Sequence, residues 1–270
     1  NANVLDYLPT EMDAQPAPRV ELTDLRISGD KIVARGQNLE AIEGEEVRDI
    51  NGRTIMPGLI NGHSHVYQSL IEGIGYDMHF DPWNWRFLFP VVSHTSPEDS
   101  AVCAELAAVE MIKTGTTTIS DHWYMHTDLE NIFQVTETFD QVGMRSQMVY
   151  GLLDQTFAGE RIDSEYMTMI QSPETLLSEA RRFYDQWHGK KRTTVALGPG
   201  STEDISHDLM LRMRDLAREL DINVNTHVAG WIEINAYTLR HYGKRDMEHM
   251  HAIGLTGPRG VFFHSVWLSD

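Results

Sequence analysis

From Thr54 onward the chain alternates between short β-branched runs and helical segments, and this order restricts the fold more than any composition figure does. Strands are read at Thr54 to Ile60, Thr116 to Ser120, Arg145 to Tyr150 and Thr193 to Leu197, with two more ending near His227 and at His264. Ser96-Pro97-Glu98-Asp99 opens the first long helix with a hydroxyl cap, a proline at the first helical position and acids in the first turn. Gly115 ends that helix, and Gly143 ends a second that runs from Leu129 to Val142. Further helices are predicted from Ser172 to Trp187, Ser206 to Leu220 and Ile232 to Ile253. Strand-helix units in series make a parallel sheet, so the expected class is α/β, a (β/α)8 TIM-type barrel with its first six βα units present. A barrel must close to remove its edges. The remaining strands are therefore expected from a missing C-terminal segment or from a second chain.

Residues 1–57 follow another pattern. Leu22 to Ile27 alternates, Ser28-Gly29-Asp30 turns, and Lys31 to Ala34 starts a second strand. Glu46 to Ile50, Asn51-Gly52 and Arg53 to Ile55 repeat the strand, hairpin turn, strand sequence. This is read as the N-terminal part of a small β-sandwich module, with residues 58–270 forming the barrel.

Histidines gather where barrel chemistry gathers. His63 and His65 stand just past the Thr54 to Ile60 strand, and residues two apart on extended backbone point the same way. His227 and His264 each end an apolar run. A single histidine in such a place is as readily a hydrogen-bonded core residue. Four at the C-terminal ends of strands point to a divalent metal, since neutral imidazole is a common ligand of zinc-like ions. His122 ends the second strand and is either a substrate contact or structural. The Tyr76 to Pro90 segment carries Trp83 and Trp85 among other aromatics, suiting a flat substrate or packing against a neighbouring surface. His241, His249 and His251 fall in a helical stretch and are read as surface residues.

The net charge of −18 opposes nucleic-acid binding, which rests on Lys and Arg neutralising phosphates. No apolar run approaches the ~20 residues of a membrane span. Asn1 to Asp6 carries no basic-then-apolar signal pattern, and Cys103 is the only cysteine. A cytoplasmic, reducing setting and a homo-oligomeric enzyme with a small-molecule substrate are the expectations, with neither nucleic acid nor membrane as partner.

Met56-Pro57-Gly58-Leu59-Ile60-Asn61-Gly62-His63-Ser64-His65, Lys113 to Thr118, Thr226-His227-Val228-Ala229 and His264 to Ser269 together resemble the amidohydrolase superfamily. The similar branch includes chlorotriazine hydrolases, guanine and cytosine deaminases and S-adenosylhomocysteine deaminases. The resemblance implies that His63, His65 and His227 bind one divalent ion, zinc by default, with iron, cobalt or manganese as alternatives. It implies that His264 positions or deprotonates the attacking water, and that an aspartate ending strand eight completes the site. Gln68, close behind the first motif, is taken as a substrate contact with Trp83, Trp85 and His122.

One departure bears on the reaction. In the deaminases the run matching Thr226 to Ala229 is followed by a glutamate that shuttles a proton to the ring; here Gly230 stands there, with Glu233 three residues on. Ring deamination needs that proton. The expectation is therefore a hydrolase in which a metal-activated water cleaves a C–N, C–S or similar bond of a small amide-, urea-, carbamate- or heteroaromatic-type substrate, similar to the phenylurea and molinate hydrolases. A purine, pyrimidine or triazine deaminase is the alternative, and a chain active only beside a partner that supplies strands is another.

Overall fold

A computed structural model describes residues 2–6, 19–156 and 164–269. Contacts divide the chain into two compact units, Asn1–Leu59 and Ile60–Asp270.

The first unit is a four-stranded sheet. Strand β1 (Ala2–Asp6) pairs antiparallel with β2 (Arg19–Ser28), which pairs antiparallel with β3 (Lys31–Gly36). The last strand, β4 (Thr54–Ile55), lies parallel to β1, with Thr54 opposite Asn3. The predicted hairpin around Asn51-Gly52 is thus corrected. The turn forms, with both residues left-handed and the Arg53 amide donating to the Ile50 carbonyl at 3.1 Å, but Glu46 to Ile50 is not a strand. Asn3 draws the outgoing segment to β1, donating its side-chain amide to Gly52 O at 2.7 Å and its backbone N–H to Arg53 O at 3.2 Å.

The second unit holds six parallel strands in spatial order β10-β9-β8-β7-β6-β5, a nearly closed, partial TIM-type barrel. They are β5 (Leu59–Ser64), β6 (Thr116–Trp123), β7 (Arg145–Leu152), β8 (Thr193–Pro199), β9 (Val224–Val228) and β10 (Gly260–His264). After β5 come a 3-10 turn, the short helix α1 (Phe80–Trp83), a π turn and α2 (Phe89–Val92). The crossovers that follow are α3 (Pro97–Lys113), α4 (Asn131–Val142), α5 (Ser164–Met167) with α6 (Pro173–Trp187), α7 (His207–Glu219), and α8 (Ile232–Tyr242) with α9 (Asp246–Ala252).

The helix starts obey local chemistry. Ser96 Oγ accepts from Asp99 N at 3.1 Å while Asp99 returns the favour to Ser96 N, a complete capping box. At α6 and α7 the Ser172 and Ser206 hydroxyls accept from Thr175 N and Leu209 N. The predicted Ile232 to Ile253 helix is broken in two, because Gly243 takes a left-handed conformation that closes α8. His249, expected at the surface, is buried on α9 and stacks on Tyr242 with ring centroids 3.9 Å apart.

Strands β8 and β9 are buried on nearly every residue, as parallel strands covered on both faces are. Trp123, Met148, Phe139 and Phe183 fill the space between sheet and helices. Among the described residues β5 and β10 are the sheet's two outer strands. Beside β5, Ile60 and the α3 ridge of Val102, Leu106, Val109 and Ile112 are exposed. Among the described residues no helix is long and apolar enough to cross a membrane.

Candidate metal centre

Pro57 and Gly58 interrupt the Thr54 to Ile60 run, so the barrel strand begins at Leu59 and extends to Ser64. His63 therefore lies within β5 and His65 one residue past it, rather than both beyond the strand. His227 sits in β9, and His264 is the last residue of β10. Phe263 pairs with His227 in register, which aligns those two strand ends.

The rings converge. His227 Nε2 stands 3.1 Å from His65 Nε2 and 3.2 Å from His63 Nε2. Two of the rings are fixed from behind: His65 Nδ1 donates to the His122 carbonyl at 2.7 Å, and His227 Nδ1 to the Gly200 carbonyl. A neutral imidazole carries one proton, so both Nε2 atoms are bare acceptors. Bare lone pairs at this distance repel one another unless a cation lies between them. An ion ~2.0–2.1 Å from each nitrogen in a tetrahedral site brings its ligands to ~3.3 Å from one another, so the donor set fits a zinc-like ion. Carbonyls behind the ligand rings are the usual support of such a site.

Burial keeps the rings neutral. It lowers His63 to about 4, with His264 adding to the shift, and holds His65 and His227 well below the ordinary value. His264 is half open and is also lowered by burial. It lies on the open side of the group: ligand atoms of His63, His227 and His264 fall within 4.8 Å of one another, while His227 Nε2 is at 3.1 Å from His65 and 3.2 Å from His63. His63, His227 and His264 form the group whose ligand atoms lie close enough to hold an ion, with His65 against His227 beside them. The His264 ring stacks on His227 at 5.0 Å.

The backbone bends sharply here. His264 and Ser265 have φ of 67° and 51°, and Ala229 has 47°, conformations that non-glycine residues seldom adopt. Asp246, buried at the start of α9, holds Ala229 N at 2.8 Å, and Ala229 O accepts from Val266 and Trp267. Asp121 does similar work after His65, accepting from Val66 N at 2.8 Å. Sequence reasoning missed both acids. Asp121, beside His122 at a strand end, offered a signal; Asp246, inside a helical stretch, offered none.

The four histidines open onto a cavity of about 720 Å³. Gln68 and Trp83 line it. Trp85 does not; it packs on Phe89 and Tyr166, with centroids at 4.9 and 5.9 Å. On a helical path residues two apart diverge by roughly 200°, so one tryptophan faces the cavity and its neighbour the core. His122 also differs from the expected substrate contact. It is fully buried, stacked 5.4 Å behind His227, with Nε2 3.3 Å from the Gly198 carbonyl. Asn84, Tyr124 and Asp204 line the cavity and were not anticipated. Asp204 lies in the segment after β8, and its place after a strand could have flagged it.

At Gly230 the His264 ring lies so close that a Cβ would meet it at 3.0 Å. Glu233 is exposed on α8 and does not line the cavity.

A model of the amidohydrolase family matches residues 54–270. The chain is a member of the amidohydrolase family. Among curated relatives, this amidohydrolase is 29% identical over 247 residues to a 5'-deoxyadenosine deaminase of Methanobrevibacter smithii, covering 91% of this chain and 53% of that protein. It is likewise 29% identical over 255 residues to a 5-methylthioadenosine/S-adenosylhomocysteine deaminase of Thermoanaerobacter pseudethanolicus, covering 94% and 55%. The chain thus spans a little over half the length of these relatives. Of solved structures, E. coli guanine deaminase superposes with a TM-score of 0.85 at 22% identity, covering 99% of this chain and 63% of that one. A zinc-bound adenosine deaminase from Xanthomonas campestris superposes at 0.74 with 23% identity, covering 100% and 58%. At these identities the structural likeness establishes the fold.

Proposed function

We propose that this amidohydrolase uses His63, His65 and His227 to hold one divalent ion and hydrolyses a C–N bond of a small, flat substrate. The observation that carries the reading is the approach of His227 Nε2 to within 3.1 Å of His65 Nε2 and 3.2 Å of His63 Nε2 while the His65 and His227 rings spend their N–H groups on carbonyls. When bound, such an ion supplies Lewis acidity that brings the pKa of water towards neutrality. Zinc is the proposed ion, supported by the all-nitrogen donor set and by the zinc-bound relative; iron, cobalt or manganese are compatible with the same donors.

The protein's own groups do the rest. His264, at the cavity edge of the cluster, accepts a proton from the attacking water and polarises the reacting carbon's substituent. Gln68 and Trp83 orient the substrate, the indole offering a flat face to an aromatic ring. The relatives' names favour an amine on a nitrogen heterocycle as the leaving group. Gly230 favours a second reading, a urea- or carbamate-type bond, because it leaves the place of the proton-carrying glutamate to the His264 ring.

Strands beyond the described residues, from this chain or a partner, are proposed to cover the α3 ridge and bring a carboxylate to the ion. We place the enzyme in the cytoplasm as a homo-oligomer, where buried Cys103 stays reduced. The test is a panel of aminopurines, aminopyrimidines, triazines, N-aryl ureas and thiocarbamates incubated with metal-loaded protein. Turnover of at least one class, abolished by a chelator and restored by the ion, is expected. Metal-independent turnover, or none from any class, contradicts the proposal.

A further inference from the structure

The strand ends that carry His227 and His264 are tied together by residues that do not line the cavity. Ala229 commits both of its backbone polar groups. Its N–H donates to Asp246 Oδ2 at 2.8 Å, and its carbonyl accepts from Val266 N at 3.1 Å and Trp267 N at 2.9 Å. The Trp267 carbonyl in turn accepts from Asn235 Nδ2 at 3.1 Å and from Arg245 Nη2 at 2.7 Å. Asn235 Oδ1 closes the circuit by accepting from Asp246 N at 3.1 Å. The circuit therefore runs from the end of β9 to the residues after β10 and returns through α8 and α9.

Asp246 extends it to a third strand end. Its other oxygen accepts from Thr202 Oγ1 at 2.5 Å, two residues past Gly200, whose carbonyl holds the His227 ring. Asp246 is fully buried and Asn235 is 4% exposed. A buried carboxylate is costly unless its oxygens are hydrogen-bonded, and both oxygens here are spent on residues that follow barrel strands. The left-handed residues Ala229, His264 and Ser265 lie at the two strand ends that the circuit joins. Non-glycine residues keep such conformations only where their surroundings impose them. Gly230, next to Ala229, lies against the His264 ring.

We propose that Asp246 and Asn235 are positioning residues. By imposing the left-handed turns after β9 and at the end of β10, they fix the His264 ring relative to His227. Outer partners of metal-binding residues are commonly worth ~10–100-fold in metal affinity or activity. For its effect on turnover this placement rests on the hydrolase reading; the clamp itself does not.

Hydrogen exchange, together with the visible spectrum of the cobalt(II)-loaded protein, tests the clamp. In Asp246→Ala the amides of Ala229, Val266 and Trp267 should exchange ~10-fold faster, while those of β6 and β7 keep their rates. The cobalt bands should shift in position or intensity, because they follow the arrangement of the ligands. Asp246→Asn still accepts from Ala229 N and offers its amide to Thr202 Oγ1, which accepts as well as donates. It should therefore restore both the exchange rates and the spectrum. Should Asp246→Ala not fold, Arg245→Met, at a partly exposed position, frees the same Trp267 carbonyl, and faster exchange at Trp267 is expected. A uniform rise in exchange across all strands would make Asp246 a general stabilising residue and overturn the proposal. Native exchange at the three amides, an unaltered cobalt spectrum, or no rescue by asparagine would overturn it as well. If the native chain binds no cobalt, the proposed metal site is refuted, and the exchange rates alone decide whether the clamp exists.

Discussion

The Nε2 atoms of His65 and His227 stand 3.1 Å apart with their Nδ1 atoms committed to the carbonyls of His122 and Gly200. Such a pair is unfavourable in a protein alone and favourable around a cation.

Removing an inner ligand should remove the ion. His63→Ala and His227→Ala are each expected to lower bound metal by ~10-fold or more and to abolish turnover, because each takes one of few donors. Elemental analysis of the purified variants checks this, and full occupancy in either would refute the ligand assignment.

His264 should behave differently. Its place at the edge of the cluster predicts that His264→Asn keeps most of the metal and loses at least ~10²-fold in rate. Near-normal turnover in that variant would make the residue structural.

Gly230 leaves the space beside it to the His264 ring. Gly230→Ala places a Cβ 3.0–3.4 Å from that ring, which must shift to admit it. A loss of ~10-fold in kcat with unchanged metal content is expected, since small misplacements of reacting groups are costly. An unaltered kcat would show that the ring's position is not critical.

Stability should decline on the alkaline side because of Glu203. Its carboxyl is raised from near 4.5 to about 9 in the folded protein, chiefly by burial. The folded state therefore binds the proton more tightly than the unfolded state, and stability falls as pH rises between those values. His63 acts in the opposite sense: lowered to about 4, it costs stability as pH falls from 6.5 towards 4. Calorimetric melting should show Tm falling from pH 6 to 9, and Glu203→Gln should flatten that limb. A Tm curve unchanged by the substitution would contradict the assignment.

How much was legible in the sequence depends on whether a feature is local. The caps at Ser96, Ser172 and Ser206 and the stop at Gly143 are set by neighbours within a few residues, and they stand where the sequence puts them. The four histidines were legible because strand ends in a barrel share one face, so separate runs could be assembled without coordinates. Other errors came from long-range partners. Asn3 recruits Thr54 to β1 and dissolves the expected hairpin. His122 and Trp85 face the interior because of packing around them, which their residue types do not reveal. Asn84 and Asp204 are ordinary polar residues in sequence; only the enclosure around them makes them notable.

X-ray absorption spectroscopy on the zinc-loaded protein, after titration to establish stoichiometry, tests the central claim most directly. The account predicts one ion per chain with imidazole nitrogens at ~2.0–2.1 Å, lost in His227→Ala. No stoichiometric binding, or a coordination sphere of oxygen alone, would contradict it.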